Sequence, residues 1–381
     1  MLAKIYDSLT ILLILCGIVA IGFIYYNRDW FFKHTVSKQQ SVEHSNLVPA
    51  KLQIESGWLK QSSSIRSKQV FIPQNTSATV FVSGLNKPTN IISISDKKVV
   101  VVEEKTGNLV VLEDKDNNNS ADNKRIFISG LNDPYGIDYL EGDLYVGLES
   151  DVIVFKDFLN QLSNNTNDFE YVVRGIPSTH LKGLPIKIYA GKLYIGVSAS
   201  CNYCIENDKR RGSVVSYNLD GSGEQIYASG FKQINSLNEV VGLLSLTESS
   251  VDQKGVSDEF NIVKKDGFYG WPYVVNQSQV PNGSNLSLPV GVDVFSPTIL
   301  FSQNAEPFGF LFSKNMFNID NSLFFVFNGE NKVVYYTYPN FQEEQDVFLF
   351  SDYTPKFMGI EQFRKGLLIS DYASGVLYYL Y

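Results

Sequence analysis

The chain has 381 residues, a formal net charge of −8, and 22 Tyr and 26 Phe. That length exceeds what most single domains need, unless each repeating unit adds a small core of its own. The acidic balance, with no basic stripe to neutralise phosphates, argues against a nucleic-acid partner.

Residues 1–8 form a short N-terminal tail. Leu9 to Tyr26 is an apolar or weakly polar run, LTILLILCGIVAIGFIYY, just long enough to cross a bilayer. Two readings are open. One is a cleaved signal peptide ending near the small-x-small triplet Ala20-Ile21-Gly22. The other, preferred, is a transmembrane helix, because the apolar run continues past the triplet and leaves through Tyr25-Tyr26-Asn27-Arg28-Asp29-Trp30, an interfacial composition. Cys16 within it reads as an apolar filler. Residues 27–68 are polar and, from Lys33, Ser- and Gln-rich, as a tether would be. Arg28, Lys33 and Lys38 give weak support for a cytoplasmic C-terminal domain. The sequons at Asn75, Asn118, Asn164, Asn276, Asn282 and Asn285 oppose it.

From residue 69 to 381, short strand signals alternate with Gly, Asn, Asp and Pro turns. Aromatic and β-branched residues favour strands, and no long helical pattern interrupts them. The phrase Phe81-Val82-Ser83-Gly84-Leu85-Asn86-Lys87-Pro88 returns as Phe127-Ile128-Ser129-Gly130-Leu131-Asn132-Asp133-Pro134. Looser echoes occur at Gly175-Ile176-Pro177 and Ala228-Ser229-Gly230-Phe231. A period of roughly 45 to 55 residues predicts a β-propeller, one copy per blade. Two further units, after Phe308-Gly309-Phe310 and Met358-Gly359-Ile360, bring the expectation to six blades. A strand near Val70 is expected to close the ring against Val376 to Leu380 and remove a free edge.

The segment from Gly175 to Pro272 is the densest in motifs. A His follows a Gly-x-Pro segment, and Gly191-Lys192-Leu193-Tyr194-Ile195-Gly196-Val197-Ser198 comes next. Cys201-Asn202-Tyr203-Cys204, Arg210-Arg211, Asp220-Gly221, Ala228-Ser229-Gly230, Asp258-Glu259-Phe260-Asn261 and Tyr269-Gly270-Trp271-Pro272 follow in order. This series resembles the glucose/sorbosone dehydrogenase family, six-bladed propellers that use pyrroloquinoline quinone (PQQ). The Cys pair and the Arg pair look most like the sorbosone branch. The resemblance covers roughly Val80 to Tyr381. It favours an extracytoplasmic propeller.

The resemblance implies that His180 is the general base that takes a proton from a sugar hydroxyl as hydride leaves C1. A neutral imidazole suits that task near neutral pH. It implies that Lys232, Gln233 and Lys356 contact the quinone. The family usually has Arg-Asn at the first pair and tends to have Arg-Pro at Lys356-Phe357, so two expected Arg are Lys here. Lys keeps the charge wanted by a polycarboxylate and loses the bidentate fork. A third departure is Gln303-Asn304-Ala305, where a His often precedes the Ala. The alternative for both lysines is that they are simply solvated. The resemblance also implies a calcium ion near Asp252, Asp258 and Glu259, where a hard cation finds oxygen ligands; Asp252-Gln253-Lys254-Gly255 lacks the usual Gly-Pro. An ordinary acidic turn is the alternative there. Cys201 and Cys204 have redox-motif spacing but open no βαβ helix, and no second Cys or His pair in the propeller completes a zinc site. A disulfide that pins a loop is preferred over free thiols. Trp271 and Tyr269 read as packing between blades.

Two functions follow as expectations. One is a membrane-anchored PQQ-dependent dehydrogenase of aldoses or related sugars, with an electron acceptor as second partner. The other is a non-catalytic propeller binding a glycan or protein partner at the same face. Fold alone does not choose between them.

Overall fold

The computed structural model describes residues 47–55, 57, 65, 67–178, 182–202, 204–250, 255–276, 285–341 and 343–381. Six sheets radiate around one axis. Blade 1 is built from Pro88–Ser93, Lys98–Glu103, Asn108–Glu113 and Asn123–Ile128, inner strand first. Blade 2 uses Ile137–Leu140, Asp143–Gly147, Val152–Phe155 and Glu170–Val173. Blade 3 uses Ile186–Tyr189, Lys192–Val197, Ser213–Asn218 and Gln225–Ser229, with Gly267–Phe268 added in parallel at its rim. Blade 4 uses Gln233–Val240, Leu243–Ser249, Glu259–Ile262 and Ile299–Leu300. Blade 5 uses Pro307–Met316, Ile319–Phe327, Lys332–Thr337 and Gln345–Phe350. Blade 6 uses Phe357–Phe363, Gly366–Asp371, Val376–Leu380 and, as its outermost strand, Ala78–Val82.

Why these runs make blades is visible in blade 1. Successive side chains of a strand point to opposite faces. Val99 and Val101 pack with Phe363, Leu368 and Tyr379 of blade 6. Val100 and Val102, the alternate residues, pack with Ile137, Leu144 and Val146 of blade 2. The run Val-Val-Val-Val therefore serves two cores at once, which a sheet covered on both faces requires. Blade 5 repeats the arrangement with Phe: Leu323, Phe325 and Phe327 face blade 4, while Phe324 and Val326 face blade 6. Edge-to-face ring pairs join the former group to Phe260 and Phe301, with centroids 5.3 Å apart for Phe260–Phe325 and 5.0 Å for Phe301–Phe327. Each such fully buried side chain contributes about 1.5–3 kcal/mol of burial.

The ring closes between Ala78–Val82 and Val376–Leu380, paired antiparallel. The strand near Val70 does not perform this closure: Gln69–Pro73 extends the outer edge of blade 5 and carries Leu47–Lys51 beyond it. Burial separates the two candidates. Every residue of Ala78–Val82 is buried, as a strand between two blades must be, whereas Gln69–Pro73 alternates and ends in a Pro suited to an edge. Leu47–Lys51 lies inside the segment expected to be a tether, and Leu52 and Ile65 join the core between blades 5 and 6. The span 9–26 lies outside the described residues. Among the described residues no helix is long and apolar enough to cross a membrane.

The repeated Ser-Gly-Leu-Asn phrase is the crossover from one blade to the next. Gly84, Gly130, Gly175 and Gly230 all have positive φ, between 72° and 88°. The residue after each donates its N–H to the blade being left: Leu85 to Gly375, Leu131 to Gly107, Ile176 to Ser150 and Phe231 to Gly212. A carboxylate of the blade being entered then receives the chain. Asn86 N–H donates to Glu103 at 2.8 Å, Asn132 Nδ2 to Glu149 at 2.7 Å and Lys232 N–H to Glu248 at 3.1 Å.

Blades approach one another closely beside the axis. A Cβ added to Gly147 would lie 2.2 Å from the carbonyl oxygen of Leu184 in the segment leading into blade 3. Gly147→Ala is therefore expected to destabilise the protein by about 1–3 kcal/mol, the usual cost of overpacking. The midpoint of urea unfolding measures it; an unshifted midpoint would show that the blades part without cost.

Candidate functional site

In every blade the inner strand starts at the same end of the central channel, immediately after a crossover. The residues just before these starts therefore converge there. Tyr135 precedes blade 2, Lys182 precedes blade 3, Lys232 precedes blade 4, Glu306 precedes blade 5 and Lys356 precedes blade 6. Below them a cavity of about 290 Å³ runs between the inner strands, lined by Asn90, Tyr135 and Asn235 at this end and by Asp138, Lys187 and Glu361 further along.

Asn235 organises the floor. Its Oδ1 accepts from Lys182 Nζ at 2.7 Å and from Gln233 Nε2 at 3.2 Å. Its Nδ2 donates to Ser249 Oγ at 2.6 Å, and its backbone carbonyl accepts from the buried Tyr135 hydroxyl at 3.0 Å. The Lys182 ammonium lies 4.9 Å from the ring centre of Tyr135 and 4.8 Å from that of Phe308. Enclosure between those rings pushes its pKa down to about 7, against the pull of Glu104 and Glu306. Burial and the charge of Asp133 raise Glu104 in turn.

Lys232 is buried beside a group of acids. Its Nζ lies 5.5 Å from the ring centre of Trp271, a cation–π distance. The Tyr269-Gly270-Trp271-Pro272 motif is held there by backbone bonds to the preceding crossover: Tyr269 N–H donates to Ser229 and Trp271 N–H to Gly230. Gly230 must be glycine, since a Cβ would meet the Tyr269 and Gly270 nitrogens at 2.7 Å. Tyr269 stacks on Phe231 in the core between blades 3 and 4. Trp271 departs from the expected interblade packing: it joins Val256 and Val275 in a small cluster under Lys232.

Glu248, Asp258 and Glu259 come together behind Lys232. Glu248 and Glu259 share a hydrogen bond, and burial followed by the repulsion of Glu259 drives the Glu248 carboxyl well above its ordinary value. Burial likewise raises Glu259. Asp258 is pushed up to about 6 by burial, although its oxygens accept from the Ser250 and Glu306 amides at 2.7 and 2.8 Å. Asn261 donates to Glu259 at 3.2 Å, and its Oδ1 is buried with no hydrogen-bond partner among the described residues. Every donor in this group is oxygen, the set a hard cation prefers.

Of the residues singled out from sequence, Lys232, Gln233, Asp258 and Glu259 are thus gathered on one side of the channel. Lys356 lies two blades further round, with its N–H donating to Asp371 at 2.9 Å and its Nζ 3.5 Å from the Asn328 carbonyl. His180 and Asp252 lie outside the described residues. The chain leading to His180 is anchored: Arg211 donates to the Ser178 carbonyl at 2.9 Å and Arg210 to the Gly175 carbonyl at 3.2 Å. Arg211 Nη1 is buried with no hydrogen-bond partner among the described residues. Cys201 and Cys204 form a disulfide, with Cα atoms 6.0 Å apart, in the loop between the second and third strands of blade 3. Lys182, Tyr135, Asn235 and Glu248 were not anticipated. Their only sequence signal is polarity in unusual places: Asn235 within Gln-Ile-Asn-Ser-Leu, and Glu248 closing an apolar strand.

Comparison with known proteins places this geometry. No family model matches the sequence, and no curated protein matches it. Solved structures do match. The holo PQQ domain of pyranose dehydrogenase from Coprinopsis cinerea superposes with a TM-score of 0.67 at 13% identity, covering 82% of this chain and 97% of that one. The soluble aldose sugar dehydrogenase of Escherichia coli, in its apo form, gives 0.64 at 14% identity, covering 81% and 99%. The PQQ-bound aldose sugar dehydrogenase of Streptomyces coelicolor gives 0.62 at 16% identity, covering 81% and 100%. The chain has the six-bladed fold of the PQQ-dependent sugar dehydrogenases.

The Lys182 shift has a measurable consequence. Its folded pKa, about 7, lies below the ordinary lysine value of 10.5. Between those values the unfolded chain binds more protons, so stability rises with pH through that window and the penalty is fully present below it. Lys182→Met is expected to flatten this part of the stability profile, gaining most on the acid side. Urea unfolding at a series of pH values tests it; an unchanged slope would place the ammonium in contact with bulk water.

Proposed function

We propose that the chain is a PQQ-dependent sugar dehydrogenase whose site lies at the crossover end of the channel. The observation that carries this reading is the convergence of two enclosed lysines and an all-oxygen acid group around one opening, on this fold. Lys182, Lys232 and the spare Nη1 of Arg211 supply the positive charge that a polycarboxylate quinone needs, and Gln233 supplies an amide beside them. Lys356 approaches from blade 6. Glu259, Asp258 and Asn261 are the donors for a calcium ion, with Asp252 as a further acid. When bound, the quinone and its calcium supply the electrophile that accepts hydride.

The chain's own task is to hold the sugar and move a proton. His180 takes the proton from the C1 hydroxyl, so that the electron pair of the C1–H bond is released as hydride. Lys182, neutral for part of its time near pH 7, keeps Asn235 and Tyr135 in a fixed hydrogen-bonded floor beneath the substrate. Arg210 and Arg211 hold the Gly175–Ser178 segment that precedes His180 in the chain. Residues 9–26 serve as a membrane anchor, with the propeller extracytoplasmic, where a disulfide persists and sugars are met.

The test is reconstitution with PQQ and calcium followed by sugar-dependent dye reduction. His180→Ala is expected to lower kcat by about 10²–10⁴-fold, the usual worth of a general base. Lys232→Met is expected to weaken quinone binding, followed by absorbance titration, while Lys232→Arg retains it. Sugar or glycan binding without quinone binding or dye reduction in any condition would instead establish the non-catalytic propeller. Activity that survives His180→Ala would remove His180 from its role.

A further inference from the structure

The hairpin between the third and fourth strands of blade 1 reads Asp114-Lys115-Asp116-Asn117-Asn118-Asn119-Ser120-Ala121-Asp122. Oxygen-bearing side chains occupy its first, third, fifth, seventh and ninth positions. That matches the first nine positions of the loop by which calcium is wrapped, the seventh contributing a backbone carbonyl, while the twelfth, an acid in such loops, is Arg125 here. Such loops need a left-handed residue at the sixth position, and Asn119 has φ 71°. Carboxylate oxygens of Asp114, Asp116 and Asp122 all lie within 4.8 Å of one another.

Three acids in a loop do not make a site by themselves. Asp114 supplies the further observation. Its side chain is wholly buried. Its Oδ2 accepts from Arg364 Nη1 at 2.7 Å and from Asn119 N–H at 3.1 Å. Its Oδ1 is buried and has no hydrogen-bond partner among the described residues. A buried carboxylate oxygen left bare is costly unless a cation meets it. The other two acids are exposed: Asp122 spends one oxygen on the Lys115 amide, while the Asp116 oxygens accept from the Asn118 N–H at 3.1 Å and Nδ2 at 3.2 Å, each keeping a second lone pair for a cation.

We propose that this hairpin binds one calcium-like divalent cation through Asp114 Oδ1, Asp116, Asn118, Asp122 and the Ser120 carbonyl, at a site separate from the channel. Arg364, in the first turn of blade 6, ties the loop across the closing seam. Besides Asp114, it donates to Asn117 Oδ1 at 2.9 Å and to the Asp96 carbonyl at 2.7 Å. Ala121 N–H donates to Phe81 of the closing strand, and Asn118 Nδ2 to Glu55. The cation therefore fastens the hairpin at the place where blade 1 meets the blade made from both ends of the propeller.

Calorimetric titration of chelator-treated full-length protein with calcium, without quinone, tests this. Asp116→Asn combined with Asp122→Asn changes only exposed side chains, so the fold is expected to persist, checked by circular dichroism. One calcium equivalent seen in the parent is expected to be lost or weakened at least about tenfold in the variant, given that even outer-shell changes cost ~10–100-fold. Calcium bound through Asp258 and Glu259 would be retained in both. Calcium, more than magnesium, is expected to raise the parent's Tm and to raise the variant's less. Identical stoichiometry and affinity in parent and variant overturns the proposal. So does a parent that binds no calcium up to about 10⁻³ M, the weak end of such loops.

Discussion

The left-handed glycine at four of the six crossovers, those into blades 1 to 4, is the constraint on which the molecule depends. It turns the chain from the rim of one blade toward the axis, and no other residue adopts that conformation as cheaply. Hydrogen bonds fix these turns between two blades: one to the blade behind at all four, and one to a carboxylate of the blade ahead at the turns into blades 1, 2 and 4. Neighbouring blades are thereby locked in position before their apolar faces are considered. The cores between blades then fill with whichever branched or aromatic residues the alternation supplies.

The same device builds the site. A crossover that must deliver its chain to the axis also delivers the residue that follows. Lys182, Lys232 and Lys356 stand at such points, as do Tyr135 and Glu306. At blade 4 the carboxylate that receives the crossover, Glu248, is one of the acids gathered behind Lys232. Structure and candidate chemistry share an atom there.

Much of the fold is legible in the sequence because the crossover phrase repeats and the strands alternate. The number of blades follows from both. The closing strand is harder, since Gln69–Pro73 and Ala78–Val82 are both apolar enough and differ mainly in whether one or both faces are buried. Single side chains of the site are legible only where the family resemblance marks them, as with Lys232, Gln233, Asp258 and Glu259. Tyr135, Lys182 and Asn235 meet across gaps of up to 100 residues in sequence, so nothing local announces their meeting. The role of Trp271 beneath Lys232 is hidden for the same reason.

Blade 6 joins a strand from near residue 80 to three strands from the last 25 residues or so of the chain. During synthesis Ala78–Val82 therefore waits, exposed on both faces, while five blades are made. Its five buried residues form an apolar strand able to pair with any edge it meets in that interval. The ring has a seam in time as well as in space. An early-made strand without its partner is the natural target of a holding chaperone, and loss of only the final strand would leave two open edges on an otherwise finished molecule.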